Sequence, residues 1–358
     1  MDIEGKLSLV NRNPVCEVVT QEELRGLFET KAHPRHYIGF EISGKVHLGS
    51  GLLTSLILKD LMASGIKPTI FLADYHAWIN GKMGGDLGKI QSVALGYFKS
   101  AFASLGLPEG KVDYVLASEL YGKLGNDYWK EVLRISKETT MARMLRCTTI
   151  MGRTQKDALD CASVLYPAMQ SADISALGAD IAHAGMDQRK VHMLSREIAE
   201  KHGKKKPLAM HHRLLMGLLG PQKMGFEQSE KEDIEISSKM SKSKPDSAIF
   251  VHDSEEVIKR KLSRAYCPEK QPENNPVLEM CSVFIFRDEK SALEVTRPAK
   301  FGGDVQFCSY AEVEAAYKEG KLHPMDLKNA LASSLSLQLE PCRRHFEKHP
   351  ELLAQIEA

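Results

Sequence analysis

Two short segments carry residue types suited to handling phosphate. His47-Leu48-Gly49-Ser50 sits in a turn with Gly44 before it and Gly51 after it. A glycine-rich turn that opens a helix lets backbone come close to an anion and aims N–H groups at it. A neutral imidazole such as His47 can donate to a phosphate oxygen without bringing a fixed charge. The second segment, Lys239-Met240-Ser241-Lys242-Ser243-Lys244, lies in a polar stretch over 221–247 that is low in large apolar residues. Such a stretch reads as a mobile loop, and its lysines could close over a triphosphate and neutralise charge building on a departing pyrophosphate. Each segment alone is weak evidence, because glycine-rich turns open many helices and lysine-rich loops are usually solvated.

The elements that must position these residues follow from hydrophobic patterning. His36-Tyr37-Ile38-Gly39-Phe40-Glu41 reads as a buried strand ended by the turn Ser43-Gly44-Lys45. A helical pattern follows from His47, with Leu48, Leu52, Leu56 and Leu61 roughly on one side, and then a second short strand over 68–74. This is a βαβ unit, and it predicts a parallel sheet with ligands at the strand C-termini. Residues 112–118 read as a further strand, and helices are expected around 89–105, 127–147 and 188–202. Residues 1–30 read as a helical lead-in, on Leu24, Leu27 and Phe28. Asp253-Ser254-Glu255-Glu256 is a helix N-terminus, with a capping hydroxyl and acids in the first turn.

Composition sets the outer bounds. Lys and Arg number 48 against 47 Asp and Glu, a formal charge of +1, which excludes a protein that binds nucleic acid by bulk charge. Hydrophobic residues at 43% and charged residues at 27% exclude general disorder and support a sizeable core in 358 residues. Seven dispersed cysteines without a CxxC pair predict reduced thiols, neither a disulfide frame nor a zinc site. No apolar run is long enough for a membrane span, and the polar start is unlike a secretory signal, so a cytoplasmic enzyme is expected.

Taken together, the two phosphate-type segments resemble the paired "HIGH" and "KMSKS" signatures of class I aminoacyl-tRNA synthetases. The second is matched in full at 239–243, and the first keeps His47 and Gly49 but has Ser50 in place of its last His. Longer stretches resemble archaeal or eukaryotic-type tyrosyl-tRNA synthetases: 37–49, 71–77, Tyr166-Pro167-Ala168-Met169-Gln170, Gly185-Met186-Asp187-Gln188-Arg189-Lys190, Lys300-Phe301-Gly302-Gly303-Asp304 and 323–329. The similarity covers nearly the whole chain. It implies an α/β fold, with a class I Rossmann-like parallel-sheet catalytic domain over 1–220 that carries a helical insertion near 120–165. It also implies a mobile loop over 221–250 and an all-helical anticodon-binding domain over 251–358.

The resemblance also implies roles. Tyrosine differs from phenylalanine by one hydroxyl, so a selective site must hydrogen-bond it with groups left unpaired when phenylalanine binds, a logic for which tyrosyl-tRNA synthetases are themselves the standard example. Tyr37 and Asp173 match the phenol ligands, one to donate and one to accept. Tyr166, Gln170 and Gln188 match the ammonium ligands. Gly39, His47, Gly49, Ser50, Asp187, Met240, Ser241 and Lys242 match the ATP-binding positions, with Gly39 letting the adenylate lie on the first strand and Asp187 at the ribose. His47, Lys239, Lys242 and Mg²⁺ would stabilise the charge that develops as L-tyrosine attacks ATP. On the tRNA(Tyr) side, Arg189, Lys190 and Met193 match acceptor-end contacts, while Pro298, Phe301, His323 and Asp326 match the anticodon pocket. A homodimer is implied, with the insertion forming much of the interface. Ser175-Ala176 depart from close relatives, which carry large residues there, and read as packing variation more than as an enlarged pocket.

Three other readings differ at particular residues. A tryptophanyl-tRNA synthetase would share the fold without the Tyr37 and Asp173 pair. A small nucleotidylyltransferase would not need the segment 323–329. A catalytically silent RNA-binding paralogue would not need His47, Asp187 and the intact run from Lys239.

Overall fold

A computed structural model describes residues 1–358 except 154–157, 224–228, 242–244, 288–290 and 358, and except the side chains at 230–232, 245 and 301. It divides into two units. The first is Met1–Gly44, Ser55–Arg213 and Glu351–Ala358, and the second is Lys45–Thr54 with Leu214–Pro350.

The first unit is built on a six-stranded sheet. Its strands are β1 (Val15–Val19), β2 (Arg35–Glu41), β3 (Lys67–Ala73), β4 (Asp113–Leu116), β5 (Ile181–Gly185) and β6 (Leu208–His212), in the order β1-β6-β5-β2-β3-β4. The five strands β2 to β6 run parallel, with Tyr37 opposite Thr69 and Gly39 opposite Phe71. The order reverses on either side of β2, so the C-terminal ends of β2 and β5 are the switch point at which open α/β sheets generally bind ligands. β5 and β6 are buried at every residue, as parallel strands covered on both faces must be.

The lead-in departs from expectation. Residues 1–30 form two helices, Ile3–Val10 and Gln21–Thr30, around the strand β1, which closes the sheet edge antiparallel to β6. Val-Cys-Glu-Val-Val is short, and only its pairing with β6 makes it a strand. The helix expected over 127–147 is two helices, Asn126–Glu138 and Met141–Cys147, because Thr140 adopts extended backbone and caps the second through its hydroxyl. In the first of these, Tyr128, Val132 and Ile135 face the core at helical spacing.

β2, β5 and β6 also carry a buried chain of imidazoles. His36 Nε2 lies 3.0 Å from His183 Nδ1, and His183 Nε2 lies 2.8 Å from His212 Nδ1. Burial holds His36 down to about 3 and His212 down to about 4, so these rings are neutral and link donor to acceptor.

The second unit is helical. Ser254 caps the helix Glu255–Arg264 by accepting from the Val257 N–H, with Glu255 and Glu256 in the first turn. That helix packs on the 25-residue helix Pro324–Lys348. One element qualifies the all-helical expectation, a two-stranded antiparallel ribbon of Leu293–Val295 with Val305–Phe307.

Candidate active site

In the second unit, the turn at 47–50 and the segment from Lys239 come together through two intervening strands of chain. His47 pairs antiparallel with Phe250, and Leu48 N–H donates to Ile249 O at 2.9 Å. Lys239 pairs with Met216, and Met240 N–H donates to Leu215 O at 2.7 Å. A Cβ on Gly49 would meet the His47 ring at 3.3 Å and Leu215 at 3.4 Å, so glycine is what lets the imidazole lie down on the turn. Ser50 N–H donates to His47 Nδ1 at 3.4 Å, which leaves the proton of a neutral ring on Nε2. The Ser50 hydroxyl sits 3.3 Å from the His47 N–H and 3.4 Å from its carbonyl, so the serine that replaces the signature histidine holds the turn itself. Met240 is buried and Lys239 and Ser241 are half-buried. Lys242 lies outside the described residues.

In the first unit, helix Cys161–Ala176 lays Tyr166, Gln170 and Asp173 along one face. Asp173 is completely buried. Its Oδ1 accepts from the hydroxyls of Tyr121 and Tyr128 at 2.8 and 2.9 Å, two residues that sequence reasoning missed. Its Oδ2 has no hydrogen-bond partner among the described residues. Nor has either ring nitrogen of buried His76, whose Nε2 lies 3.6 Å away. Burial drives the Asp173 pKa up to about 8, against the two phenols that pull it down and with the Asp74 charge adding to the rise. The Tyr37 side chain is also buried, and burial together with the Asp173 charge pushes its phenol well up. Its hydroxyl lies where a Cβ on Gly39 would be, at 2.6 Å, so β2 accepts Tyr37 in this pose only with glycine at 39.

The other end of the same face gathers the remaining polar groups. Tyr166 donates to Glu41 at 3.4 Å and meets His76 edge-on at 4.5 Å. Gln170 Nε2 donates to Gln188 Oε1 at 3.3 Å, and Gln188 donates to Ile150 O at 3.0 Å. Glu41, which also accepts from Asn80 at 3.0 Å, adds a carboxylate that no motif singles out. Asp187 and Gln188 lie in the short turn directly after β5, at a strand C-terminus as expected. Ser175 sits on the helix face turned away from Asp173, where it lines a separate cavity, while Ala176 packs against the core cluster that includes Tyr37.

The tRNA positions implied by the resemblance are more dispersed. Arg189 is exposed and grips Glu17 of β1 at 2.8 and 3.0 Å, and Glu17 in turn bonds His211 at 2.8 Å. Lys190 donates to Thr149 at 3.4 Å, and Met193 is half-buried one turn on. Pro298 is exposed and caps the short turn Ala299–Phe301. His323 caps helix Pro324–Lys348 through Nδ1, which accepts from the Met325 N–H at 3.1 Å, and Asp326 is half-buried in its first turn.

Comparison with known proteins gives these arrangements a family. The model of the class I tRNA synthetases (W and Y) matches residues 29–238 and 232–340. The tyrosine–tRNA ligase of Thermococcus sibiricus is 50% identical over 99% of this chain and 97% of its own. The crystal structure of tyrosyl-tRNA synthetase from Pyrococcus horikoshii, complexed with L-tyrosine, is 49% identical with a TM-score of 0.93 over the whole of both chains. Tryptophanyl-tRNA synthetase of Aeropyrum pernix shares the fold, with a TM-score of 0.68 at 21% identity over 94% of this chain and 84% of its own. With a family model spanning most of its length and relatives half identical end to end, the chain belongs to the W and Y branch of the class I tRNA synthetases.

Proposed function

We propose that the chain activates L-tyrosine with ATP to tyrosyl-adenylate and transfers the tyrosine to the 3′ end of tRNA(Tyr), releasing AMP and diphosphate. The observation that carries the choice of amino acid is the buried polar set at Asp173. A buried polar group left unpaired costs about 1–3 kcal/mol. Asp173 Oδ2 and the His76 ring nitrogens find no hydrogen bond among the described residues. A ligand hydroxyl that both donates and accepts relieves that cost, and a tyrosine phenol supplies one where phenylalanine or tryptophan does not. The relatives' names point the same way.

In the first step the tyrosine carboxylate attacks the α-phosphorus of ATP in line and the bond to pyrophosphate breaks. In the second, a ribose hydroxyl of the tRNA terminus attacks the adenylate carbonyl and AMP leaves. Neither step needs a protein nucleophile, so catalysis rests on positioning and charge stabilisation. His47, Lys239 and Lys242 carry the charge stabilisation in this reading, while Gly39, Gly49, Ser50, Asp187, Met240 and Ser241 hold the nucleotide. In this reading Mg²⁺ enters with ATP, as part of the substrate. Tyr166, Gln170 and Gln188 take the ammonium, with the Glu41 carboxylate beside them. Arg189, Lys190 and Met193 serve the acceptor end. Residues 251–358, with Pro298, Phe301, His323 and Asp326, read the anticodon.

The test is ATP–pyrophosphate exchange with each of the twenty amino acids, followed by charging of tRNA. Exchange driven by tyrosine alone is expected, and exchange driven by tryptophan would overturn the reading.

Two further features belong to it. The work is placed in the cytoplasm, and all seven cysteines are free, which suits a reducing compartment. No helix among the described residues is long and apolar enough to cross a membrane. Trp129, Leu133, Met141 and Leu145 expose 40%, 63%, 63% and 37% of their surfaces on the helices over 126–147. Such a patch is a feature of protein interfaces and supports a homodimer built on the insertion. Light scattering is expected to give about twice the chain mass, and a mass near 39.9 kDa would refute the dimer.

A further inference from the structure

Helix Cys161–Ala176 has a second face with chemistry of its own. Ser171 and Ser175 project away from Asp173, Ile174 lies at the edge between the two faces, and the three line a cavity of about 330 Å³ in the first unit. That volume is in the range of small-molecule sites. Its floor is apolar, formed by Ile135, Ile174 and Ile198.

Polar groups converge on it. Ser171 and Ser195, which are 2% and 6% exposed, line it beside the isoleucines. Arg35 at the rim has no acidic partner for its guanidinium among the described residues, and the group lies over Gly178. A Cβ at 178 would fall 2.9 Å from Arg35 Nη2, and Gly178 has φ of +56°, so glycine is required there twice over.

The charge around the cavity decides the ligand class. Lys31 and Lys205 share the single carboxylate of Asp180, and Lys204 pairs with Glu131. With Arg35 added, the lining sets four cations against two carboxylates, an excess of two positive charges. We propose that this cavity is a second ligand site, distinct from the tyrosine pocket, for a small dianion with an apolar body, of the aryl phosphate class. The apolar group lies on the isoleucine floor, Ser171 and Ser195 donate to the phosphate, and Arg35 forms a bidentate contact with it.

The probe is phenyl phosphate, titrated calorimetrically into the full chain. Saturable binding at one site per chain is expected, with a dissociation constant on the order of 1 mM or tighter. Arg35→Ala, which removes the counter-ion, and Ser175→Phe, which fills the cavity, are each expected to weaken binding about 10-fold or more, as loss of a charge-assisted contact or of the volume itself would. Both variants are expected to keep tyrosine-dependent pyrophosphate exchange close to that of the unmodified chain, which also reports that they fold. Inorganic phosphate, lacking the apolar body, should bind more weakly. Absence of binding to the unmodified chain, binding untouched in both variants, or displacement of the probe by tyrosine or ATP would each overturn the proposal.

Discussion

Replacing Asp173 with alanine is expected to lower kcat/KM for tyrosine in pyrophosphate exchange by about 100-fold, from the roughly 1–3 kcal/mol that each buried group left unpaired costs. The loss has two sources. The phenol hydroxyl forfeits an acceptor, and Tyr121 and Tyr128 forfeit the oxygen that both hydroxyls share. Activation of phenylalanine, which has no hydroxyl to place, should change far less, so the ratio between the two substrates collapses. A loss under about three-fold, or an equal loss with phenylalanine, would remove Asp173 from phenol recognition; the threshold is small beside one hydrogen bond. Asparagine at the same position reads out the acid's protonation. Burial raises the Asp173 pKa from 3.8 to about 8, so the folded state holds a proton that the unfolded state gives up. The stability from that proton is fully present below pH 3.8 and is lost as pH rises towards 8, by up to about 1.4 kcal/mol per pH unit. An asparagine side chain has no such dependence, so thermal melts of Asp173→Asn should gain on the unmodified chain between about pH 5 and pH 8. Parallel profiles would show that the acid titrates normally.

What the sequence made legible was local. The strand over 36–41, the glycine turn and the strand over 68–74 could be read as one βαβ unit because each part carries its own periodicity or turn chemistry, and β2 and β3 pair as that reading requires. The capped start at Ser254 was legible for the same reason. What escaped was set by partners far along the chain. Val15–Val19 becomes a strand only against β6, nearly two hundred residues later. Tyr121 and Tyr128 meet Asp173 across some fifty residues, and Glu17 meets Arg189 across 172. His36, His183 and His212 show no pattern in sequence, since three strands of a sheet, drawn from distant parts of the chain, bring them into line. The resemblance to a family supplied the proposed site residues that spacing could not. It did not supply the groups that hold them, Tyr128 on Asp173 or Glu17 on Arg189.

Replacing His47 with alanine is expected to reduce the rate of tyrosine-dependent pyrophosphate exchange by about 100- to 1,000-fold, the effect of removing one preorganised donor to a developing negative charge. Its effect on tyrosine KM should be small, because the proposed tyrosine ligands lie in the first unit and His47 in the second. The geometry specifies which atom acts. With Ser50 N–H on Nδ1, a neutral ring offers Nε2–H. Glutamine carries an amide N–H at a similar reach, so His47→Gln should recover part of the rate where alanine does not. Lys242→Ala should show the same split, slowing adenylate formation far more than it weakens tyrosine binding. Ser50 is a different case. Its hydroxyl brackets the His47 backbone, so Ser50→Ala should act through the pose of His47 and cost less than the loss of the ring. The order of losses is therefore alanine at 47 above glutamine at 47 and alanine at 50. If His47→Ala exchanges pyrophosphate normally, the imidazole is only a packing group on Gly49, and the charge on the departing pyrophosphate must be met by the lysines alone.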